Sequence, residues 1–315
     1  MKILFLCPDY FGIYRVIEDG IRRNTDCELT SVIFEDYKYK NPFEKAANFI
    51  SKFFLKRNLK KKWASKERLK SVPVNSHFDF IFVICPDFMR EEDLSALIAM
   101  SDKSIVYYWD SFANIPKYKR TVHYFDKGFT FERDDAAKYK LDFLTNFYYS
   151  DFFRNDTDND VFYIGTLDSR IHIITKILEQ IEQKNRSAKI YLQTKKRLIG
   201  NFSNKIHIIR DVIPFGESEK ICMKSRIILD VQKPIQKGLT FRVFEALGKG
   251  KKLITTNGDI VNYDFYDPNN IFIWTEDSIE IPDAFFDTPY KKLPEHIYRK
   301  YSLDNWVRTI FNINQ

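Results

Sequence analysis

Several kinds of sequence signal are missing from this chain of 315 residues, and each absence removes a class of protein. No apolar run approaches the roughly 18 residues of a membrane span. The first apolar run begins at Lys2, which leaves no room for a signal peptide. The four cysteines are scattered without C-x-x-C spacing, so they predict free thiols in a reducing compartment and no disulfide or zinc framework. Together these absences predict a cytoplasmic protein.

Common catalytic and cofactor motifs are also missing. The five histidines are isolated from one another, which predicts no metal site. There is no G-x-S-x-G elbow, no Walker A loop, and no G-x-G-x-x-G after the first apolar run, so a dinucleotide-binding first half is disfavoured. The triplet Asp156-Thr157-Asp158 looks like a D-x-D metal motif, but it falls in a polar linker where such triplets arise by chance. We therefore expect no metal and no cofactor.

The positive charge of the chain is concentrated in one segment. The whole chain carries a formal charge of +7, whereas residues 38–70 alone contain twelve Lys or Arg against Glu44 and Glu67, so the rest is slightly acidic. Phe49 and Phe53 are four residues apart, so a helix here has an aromatic stripe flanked by lysines.

This basic aromatic helix has three interpretations. It can lie on an anionic bilayer surface, pack on its own domain with a solvated basic face, or bind nucleic acid. No RNA- or DNA-binding motif accompanies it, so we expect no nucleic-acid partner. The cations assigned to a membrane or acceptor surface are Lys52, Lys56, Arg57, Lys60, Lys61 and Lys62.

Strand-like and helix-like segments alternate along the chain. In the first half, strands are predicted at residues 2–7, 28–34, 78–85 and 104–109. In the second half they are predicted at 161–164, 189–193, 205–209, 226–231, 252–256 and 270–274. Such alternation predicts parallel sheets with right-handed crossovers. We predict one domain over residues 1–150, a second over 151–300, and a last helix in 301–315 that packs back towards the first domain.

Three aspartates follow the ends of three predicted strands in the first half: Asp9, Asp87 and Asp110. Open α/β sheets bind ligands at the carboxyl ends of their strands, so these carboxylates converge if their strands are neighbours. Each can instead be a helix cap or turn former, because Asp is common in both positions.

Residues 225–257 form one predicted βαβ unit in the second half. An apolar run is followed by a loop that Pro234 and Gly238 interrupt, and Thr240 can cap a helix over residues 241–247. The N-terminus of such a helix presents free N–H groups and the positive end of its dipole to an anion such as a diphosphate. Lys237 and Arg242 add cations there.

Two further positions in this half have a functional and a plain interpretation. Glu245, one turn into the helix, can accept hydrogen bonds from ribose hydroxyls, or it can form a surface ion pair with Arg242. Gly165 ends the first strand of the half. It either lets the backbone approach a phosphate, with Thr166 or Arg170 adding contacts, or simply makes the turn.

The run GLTFRVFEALGKGKKLITTN, residues 238–257, resembles the donor-site segment of GT-B glycosyltransferases of the group 1 type, closest to their CgeB-like branch. The segments YYWDSF and YIGTLDSR are similar to other parts of the same family. The resemblance implies an α/β protein of GT-B fold, with two facing Rossmann-like domains and parallel sheets. It implies that Glu245 holds a ribose and that Pro214 and Phe215 lie against the nucleobase. Where one version of the motif has a second Glu, this chain has Lys237, so that residue's role is not carried over.

The same resemblance implies a metal-independent glycosyltransferase that moves a sugar from a nucleotide diphosphate sugar to a hydroxyl of a glycan or glycolipid acceptor. The basic aromatic segment 38–70 adds the expectation of a lipid-linked acceptor, as in surface polysaccharide or lipopolysaccharide synthesis. The alternative is an inactive nucleotide-binding or scaffolding protein of the same fold. A carboxylate would deprotonate the acceptor hydroxyl, and we rank Asp110, then Asp9, then Asp87. With the basic helix, a lipid-linked acceptor predicts a peripheral protein on the inner membrane face. The predicted donor residues are Gly165, Thr166, Arg170, Pro214, Phe215, Lys237, Gly238, Arg242 and Glu245.

Overall fold

A computed structural model describes residues 1–34, 37–73, 76–149, 157–195, 203–211, 213, 215–277 and 280–313. The chain divides into two compact units, Met1–Leu144 and Thr145–Gln315. Each unit is an α/β unit built on a parallel sheet.

The described residues of the first unit form a parallel sheet of six strands in the order β2-β1-β3-β4-β5-β6. The strands are β1 (Lys2–Pro8), β2 (Glu28–Phe34), β3 (Phe78–Ile84), β4 (Ser101–Tyr108), β5 (Lys127–Thr130) and β6 (Asp142–Phe143). The helices are α1 (Ile13–Asn24), α2 (Pro42–Leu55), α3 (Leu59–Leu69), α4 (Glu91–Ile98) and α5 (Arg133–Tyr139), with 3-10 turns at Pro86–Phe88, Pro116–Arg120 and Val122–Tyr124.

The central strands of this sheet are apolar along their whole length because both faces are covered. From Ile3 to Cys7 every side chain of β1 is fully buried. Such continuous apolar runs are typical of strands inside a parallel sheet. The predicted parallel sheet and the neighbouring positions of β1, β3 and β4 are confirmed.

The basic segment differs from the single helix that we predicted. It forms two helices, α2 and α3, because Lys56 adopts a left-handed backbone conformation (φ 51°) at the end of α2 and Asn58 caps α3 by accepting from the backbone N–H of Lys61 at 3.1 Å. A left-handed residue ends a helix, and an Asn cap starts the next one. The side chain of Asn48 on α2 accepts from the backbone N–H of Lys60 at 2.9 Å and so joins the two helices.

The second unit contains a second parallel sheet of six strands among its described residues, in the order β12-β11-β10-β7-β8-β9. The strands are β7 (Asn159–Thr166), β8 (Ala188–Gln193), β9 (Ile206–Ile209), β10 (Ser225–Asp230), β11 (Lys252–Thr255) and β12 (Ile271–Ile273). The helices are α6 (Ile171–Gln183), α7 (Phe215–Met223), α8 (Phe241–Gly248), α9 (Asp283–Asp287), α10 (Glu295–Lys300) and α11 (Leu303–Phe311). Gly258–Asn262 is a 3-10 turn.

The switch in strand order occurs between β7 and β10, which are neighbours in the sheet although β8 and β9 come between them in sequence. The segments that follow β7 and β10 therefore leave the sheet at adjacent positions on its carboxyl edge. Ligands of open α/β sheets bind at such switch points. The predicted donor segment, residues 225–257, supplies β10, α8 and β11.

The segment 145–149 belongs to the second unit, and it packs there against the last two helices. The backbone N–H of Tyr148 donates to the carbonyl of Tyr301 at 2.9 Å, and the N–H of Leu303 donates to the carbonyl of Tyr148 at 2.7 Å. The ring of Tyr148 stacks on Tyr298 at 4.5 Å. Helix α11 lies in this unit too. Its predicted packing towards the first domain stays a prediction.

Gly248, the last residue of α8, makes this packing possible. A Cβ atom added there would lie 2.4 Å from the Cβ of Tyr148, a distance that real side chains do not adopt. The hydroxyl of Tyr298 also donates to the Gly248 carbonyl at 2.9 Å. The end of α8 is therefore enclosed by the segment 145–149 and by α10. Among the described residues, no helix is both long and apolar enough to cross a bilayer.

Candidate functional site

The three strand-end aspartates of the first unit lie on one edge of its sheet. Asp9 follows β1, Asp87 lies in the turn after β3, and Asp110 follows β4. These three strands are adjacent and parallel, so their carboxyl ends share an edge, as the sequence analysis anticipated.

Two of these aspartates organise the turns that contain them. The carboxylate of Asp9 accepts from the backbone N–H of Gly12 at 2.8 Å, where Gly12 has a left-handed backbone (φ 86°). The carboxylate of Asp110 accepts from the N–H of Ser111 at 2.8 Å and from the side-chain amide of Asn114 at 2.6 Å. In this structure Asp9 and Asp110 therefore have the contacts of turn-forming residues, the alternative given for them in the sequence analysis.

Asp87 is different because part of its carboxylate is buried. Its Oδ1 has no contact with solvent and no hydrogen-bond partner among the described residues. Burial raises the pKa of this carboxyl, and the charge of Asp110 raises it further, against the opposing effects of Lys117 and Lys61. A raised pKa is the property that a general base working near neutral pH needs. Asp87, ranked third from the sequence, therefore has the electrostatic features of a base most clearly.

The backbone before Asp87 is strained. Cys85 adopts a left-handed conformation (φ 53°, ψ 71°) directly before Pro86, although it carries a side chain. Such a conformation costs of order 1 kcal/mol and is concentrated at functional sites. The phenol of Tyr10 packs edge-on against Phe88 at 5.9 Å. Burial and the nearby Cys85 raise its pKa, so the hydroxyl remains a neutral donor.

Two lysines that sequence analysis did not place at this edge lie close to Asp87. Lys61, half-buried on α3, donates to the backbone carbonyl of Asp87 at 3.3 Å. The turn Pro86–Phe88 packs against the turn Pro116–Arg120, which carries Lys117. The sequence assigned Lys61 to the membrane surface with five neighbours, of which Lys52, Lys56, Arg57 and Lys62 are exposed and Lys60 is half-buried. No local pattern separates Lys61 from them.

In the second unit, the loop between β10 and α8 is held by side chains. The amide of Gln232 donates to the carbonyls of Gln236 at 2.6 Å and Gly238 at 3.2 Å. The amide of Asn257 donates to the carbonyl of Lys237 at 2.9 Å. The side chain of Lys237 is exposed and Gly238 is buried. The loop thus has a fixed path into the helix.

Helix α8 begins where the sequence predicted it. The Oγ1 of Thr240 accepts from the N–H of Arg242 at 3.2 Å, which is the predicted cap. The same hydroxyl donates to the buried carboxylate of Asp230 at 2.8 Å, and Asp230 also accepts from Thr255 at 2.9 Å. Burial raises the pKa of the Asp230 carboxyl, against these hydrogen bonds. Asp230, which the sequence analysis missed, therefore fixes the cap between two neighbouring strands.

Glu245 is almost completely buried, with 1% of its side chain exposed, and Arg242 forms an ion pair with it. The other guanidinium nitrogen of Arg242 lies 3.5 Å from the hydroxyl of Ser218 on α7. On the far side of Glu245, the ammonium of Lys249 is 3.9 Å from its carboxylate and donates to Glu219 at 3.0 Å. The Arg242–Glu245 pair of the plain interpretation is present, but inside a buried ionic network and not on a surface helix.

The residues predicted around the first strand of this unit have structural partners. The guanidinium of Arg170 donates to both oxygens of Asp168, at 2.8 to 3.2 Å, and to the carbonyl of Val231 at 2.7 Å, and so joins the ends of β7 and β10. A Cβ at Gly165 would lie 2.5 Å from the hydroxyl of Tyr163. The Tyr163 ring thus occupies the space that a side chain at residue 165 would need. Thr166 is exposed.

The predicted nucleobase contacts follow β9. Pro214 lies outside the described residues, and Phe215 is the first residue of α7. The Asp156 end of the D-x-D triplet also lies outside them. Among the described residues, no group of three or more His, Cys, Asp or Glu could hold a metal ion.

No protein-family model and no curated protein matches the chain. Solved structures match along its whole length. HepE from Anabaena, in complex with UDP and glucose, has a TM-score of 0.58 and 11% identity, and the match covers 99% of this chain and 98% of that one. OtsA in its apo form has a TM-score of 0.56 and 9% identity, with 100% and 99% covered. WaaB, a lipopolysaccharide outer core galactosyltransferase, has a TM-score of 0.50 and 13% identity, with 99% and 98% covered.

At these identities the likeness concerns the fold. HepE, OtsA and WaaB are GT-B glycosyltransferases. The chain has the GT-B fold, as predicted, with one parallel sheet in each unit.

Proposed function

We propose that this protein is a glycosyltransferase that moves a sugar from a nucleoside diphosphate sugar to a hydroxyl of a glycan or glycolipid acceptor. One observation carries the proposal: at the switch point of the second sheet, the capped helix α8 carries the cation Arg242 in its first turn and the carboxylate Glu245 one turn inside, and the two form an ion pair. A helix N-terminus binds diphosphates, and a carboxylate one turn in is placed to accept from ribose hydroxyls. The GT-B fold of HepE, whose structure contains UDP and glucose, supports the same proposal.

In this proposal the second unit binds the donor. The free N–H groups of α8, with Arg242 and Lys237, stabilise the leaving diphosphate, a task that otherwise falls to a metal ion. Glu245 receives the ribose, and binding exchanges part of its contact with Arg242 for ribose hydroxyls. Gly165, Thr166, Arg170, Pro214, Phe215 and Gly238 complete the proposed donor site.

The first unit supplies the proposed general base. We place Asp87 first, ahead of Asp110 and Asp9, because its buried oxygen lacks a hydrogen-bond partner among the described residues and its pKa is raised by burial. In an inverting transfer this carboxylate takes the proton of the acceptor hydroxyl from about 3 Å as the sugar is transferred.

Nucleotide binding tests the donor proposal. Wild-type protein, Glu245→Gln and Glu217→Gln are titrated with UDP, GDP, CMP and dTDP while the melting temperature is recorded. Ligand at a hundred times its Kd stabilises a protein by about 2.7 kcal/mol. We expect one nucleotide to stabilise the wild type and the Glu217→Gln control, whose side chain is exposed on α7, and to stabilise Glu245→Gln much less. Equal shifts in all three proteins would overturn the role of Glu245.

We also propose that the acceptor is membrane-associated, because α2 has the reverse of the usual burial pattern. Its buried residues, Asn48 and Ser51, are polar, whereas Phe49, Phe53 and Phe54 are 70%, 71% and 73% exposed. A helix that packed this stripe on its own domain would bury those rings, so the membrane interpretation is favoured. The protein then works at the cytoplasmic membrane face, in surface polysaccharide or lipopolysaccharide synthesis, as a group 1 enzyme related to the CgeB-like branch.

Vesicle binding tests the membrane proposal. Each Lys or Arg near an anionic surface contributes about 1 kcal/mol, so reversing Lys52, Lys56 and Lys62 to Glu should abolish binding to vesicles that contain phosphatidylglycerol. Phe53→Ser should weaken binding as well. Ile235→Ser, which removes an exposed apolar side chain from the second unit, is the matched control. Unchanged sedimentation of the charge-reversal variant with these vesicles would refute the proposal.

A further inference from the structure

Lys61, which contacts the backbone of Asp87, has no counter-ion within ion-pair distance among the described residues. Lys61 is half-buried, yet no carboxylate lies within 4 Å of its ammonium in the described part of the chain. Its one hydrogen bond there goes to the carbonyl of Asp87, at 3.3 Å. A partly buried lysine of the second unit is better compensated. Lys184, with 12% of its side chain exposed, pairs with Glu280 and Asp283, each at 3.3 Å. Taking a cation out of water without a partner is costly.

A second lysine adds positive charge near the ammonium of Lys61. Lys117, on the turn that packs against Pro86–Phe88, also makes no ion pair among the described residues, and its charge acts directly on Lys61. Burial lowers the pKa of the Lys61 ammonium, and repulsion from Lys117 lowers it further. The charges of Asp87 and Glu91 oppose this lowering of the Lys61 pKa, and that of Arg90 adds to it. Two cations that repel each other at a ligand-binding edge create a preference for an added anion.

Lys61 is held in this position by the fold. On α3, Ser65 donates a hydrogen bond to the buried carboxylate of Asp93 on α4. Arg90 fixes the same carboxylate with bonds of 2.7 and 2.5 Å. Because Ser65 is tied to Asp93 on α4, helix α3 cannot rotate freely. Lys61 lies one turn before Ser65 on the same helix, so its side chain is directed to the sheet edge. Preorganised cations of this kind bind anions without a large entropic cost.

We propose that Lys61 and Lys117 bind an anionic group, a phosphate or a carboxylate, carried by the acceptor beside Asp87. The inference rests on the proposed glycosyltransferase function and narrows its acceptor to anionic glycans or glycolipids. A phosphate or carboxylate accepts hydrogen bonds from both ammonium groups and supplies the missing counter-charge. An acceptor held in this way presents its hydroxyls at the edge where the proposed base lies. Neutral glycans lack the group that these lysines bind.

Three sugars distinguish recognition of the anionic group from recognition of the sugar ring. Glucose 6-phosphate and glucuronic acid are anionic, and methyl glucoside is neutral. Each is titrated calorimetrically into wild-type protein, Lys61→Met and Lys117→Met, with excess UDP present to occupy the second unit. Lys66→Met, which removes an exposed cation from the same helix α3, is the matched control. We expect wild type to bind one of the two anionic sugars at least about tenfold more tightly than methyl glucoside, a difference of 1.4 kcal/mol. Each site variant should lose most of that preference, whereas Lys66→Met should keep it.

Two results would overturn the proposal. Equal binding of methyl glucoside and both anionic sugars would show that charge is not recognised. Equal losses in Lys66→Met and in the two site variants would show a general charge effect. Because Lys117 is exposed, its variant tests the site even if Lys61→Met folds poorly. If the wild type binds no nucleotide but still binds an anionic sugar through Lys61 and Lys117, only the donor proposal is refuted. Failure of the donor proposal and failure of the anion-binding proposal are therefore distinguishable.

Discussion

The buried ammonium of Lys249 should be the most costly charge to remove from the second unit. Its side chain is 1% exposed, 3.0 Å from Glu219 and 3.9 Å from Glu245. Lys249→Met keeps most of the side-chain volume and leaves two carboxylates without this cation. Breaking a buried ion pair costs about 3 to 5 kcal/mol. We expect about 3 kcal/mol, because Arg242 still pairs with Glu245 and Glu219 is 25% exposed.

Urea unfolding measures this cost, and a double-mutant cycle assigns it. Glu219→Gln alone should cost less than Lys249→Met, and the double variant should be more stable than the two single effects predict, with a coupling of about 1 to 3 kcal/mol. The matched control is Lys220→Met, which breaks an exposed pair with Glu217 of the same 3.0 Å length. It should change stability by about 0.5 kcal/mol at most. If Lys249→Met costs no more than Lys220→Met, the buried network does not stabilise α8 in the way described.

Three further changes give measurable outcomes. Gly248→Ala places a Cβ 2.4 Å from that of Tyr148 and should cost about 1 to 3 kcal/mol in urea unfolding. The pKa of Lys252 is lowered to about 8, chiefly by burial, from 10.5. Between these values the unfolded chain holds a proton on Lys252 that the folded chain lacks, so the stability of the wild type relative to Lys252→Met should rise by at most about 3 kcal/mol from pH 8 to pH 10.5. Because burial raises the pKa of Asp87, its charged form opposes folding. Asp87→Asn should therefore be more stable than wild type at neutral pH, with the gap closing on acidification, and should lose transfer activity; a less stable, fully active variant would contradict both roles.

Much of the fold could be predicted from local pattern. Continuous apolar runs such as the one from Ile3 to Cys7 identify strands of a parallel sheet, since both of their faces are covered. Thr240 has a cap residue's chemistry and lies directly before a helical repeat of apolar residues. These signals are confined to a few neighbouring residues, so one sequence is enough to interpret them.

The properties of the candidate site depend on contacts between distant segments. Cys7-Pro8-Asp9 and Cys85-Pro86-Asp87 are identical in sequence, yet of the two aspartates only Asp87 has a buried oxygen without a partner among the described residues. Its environment is made by α3 and by the turn that contains Lys117, which lie about thirty residues away on either side. For the same reason the sequence could not show that an Arg242–Glu245 pair would be buried, because Lys249's partner Glu219 comes from a different helix.

The pairing of Tyr148 with Tyr301 and Leu303 has a consequence for synthesis of the chain. This contact closes a loop that contains nearly the whole second unit, so the enclosure of α8 by residues 145–149 and α10 cannot form until residue 303 has left the ribosome. Contacts of such long range slow folding, because the entropy of loop closure is lost before the contact forms. The first unit, by contrast, has its β1 to β6 residues translated early and can fold on the ribosome while the second is still being made. Nascent chains stalled before residue 298 should therefore present the Gly248 end of α8 to solvent and to proteases.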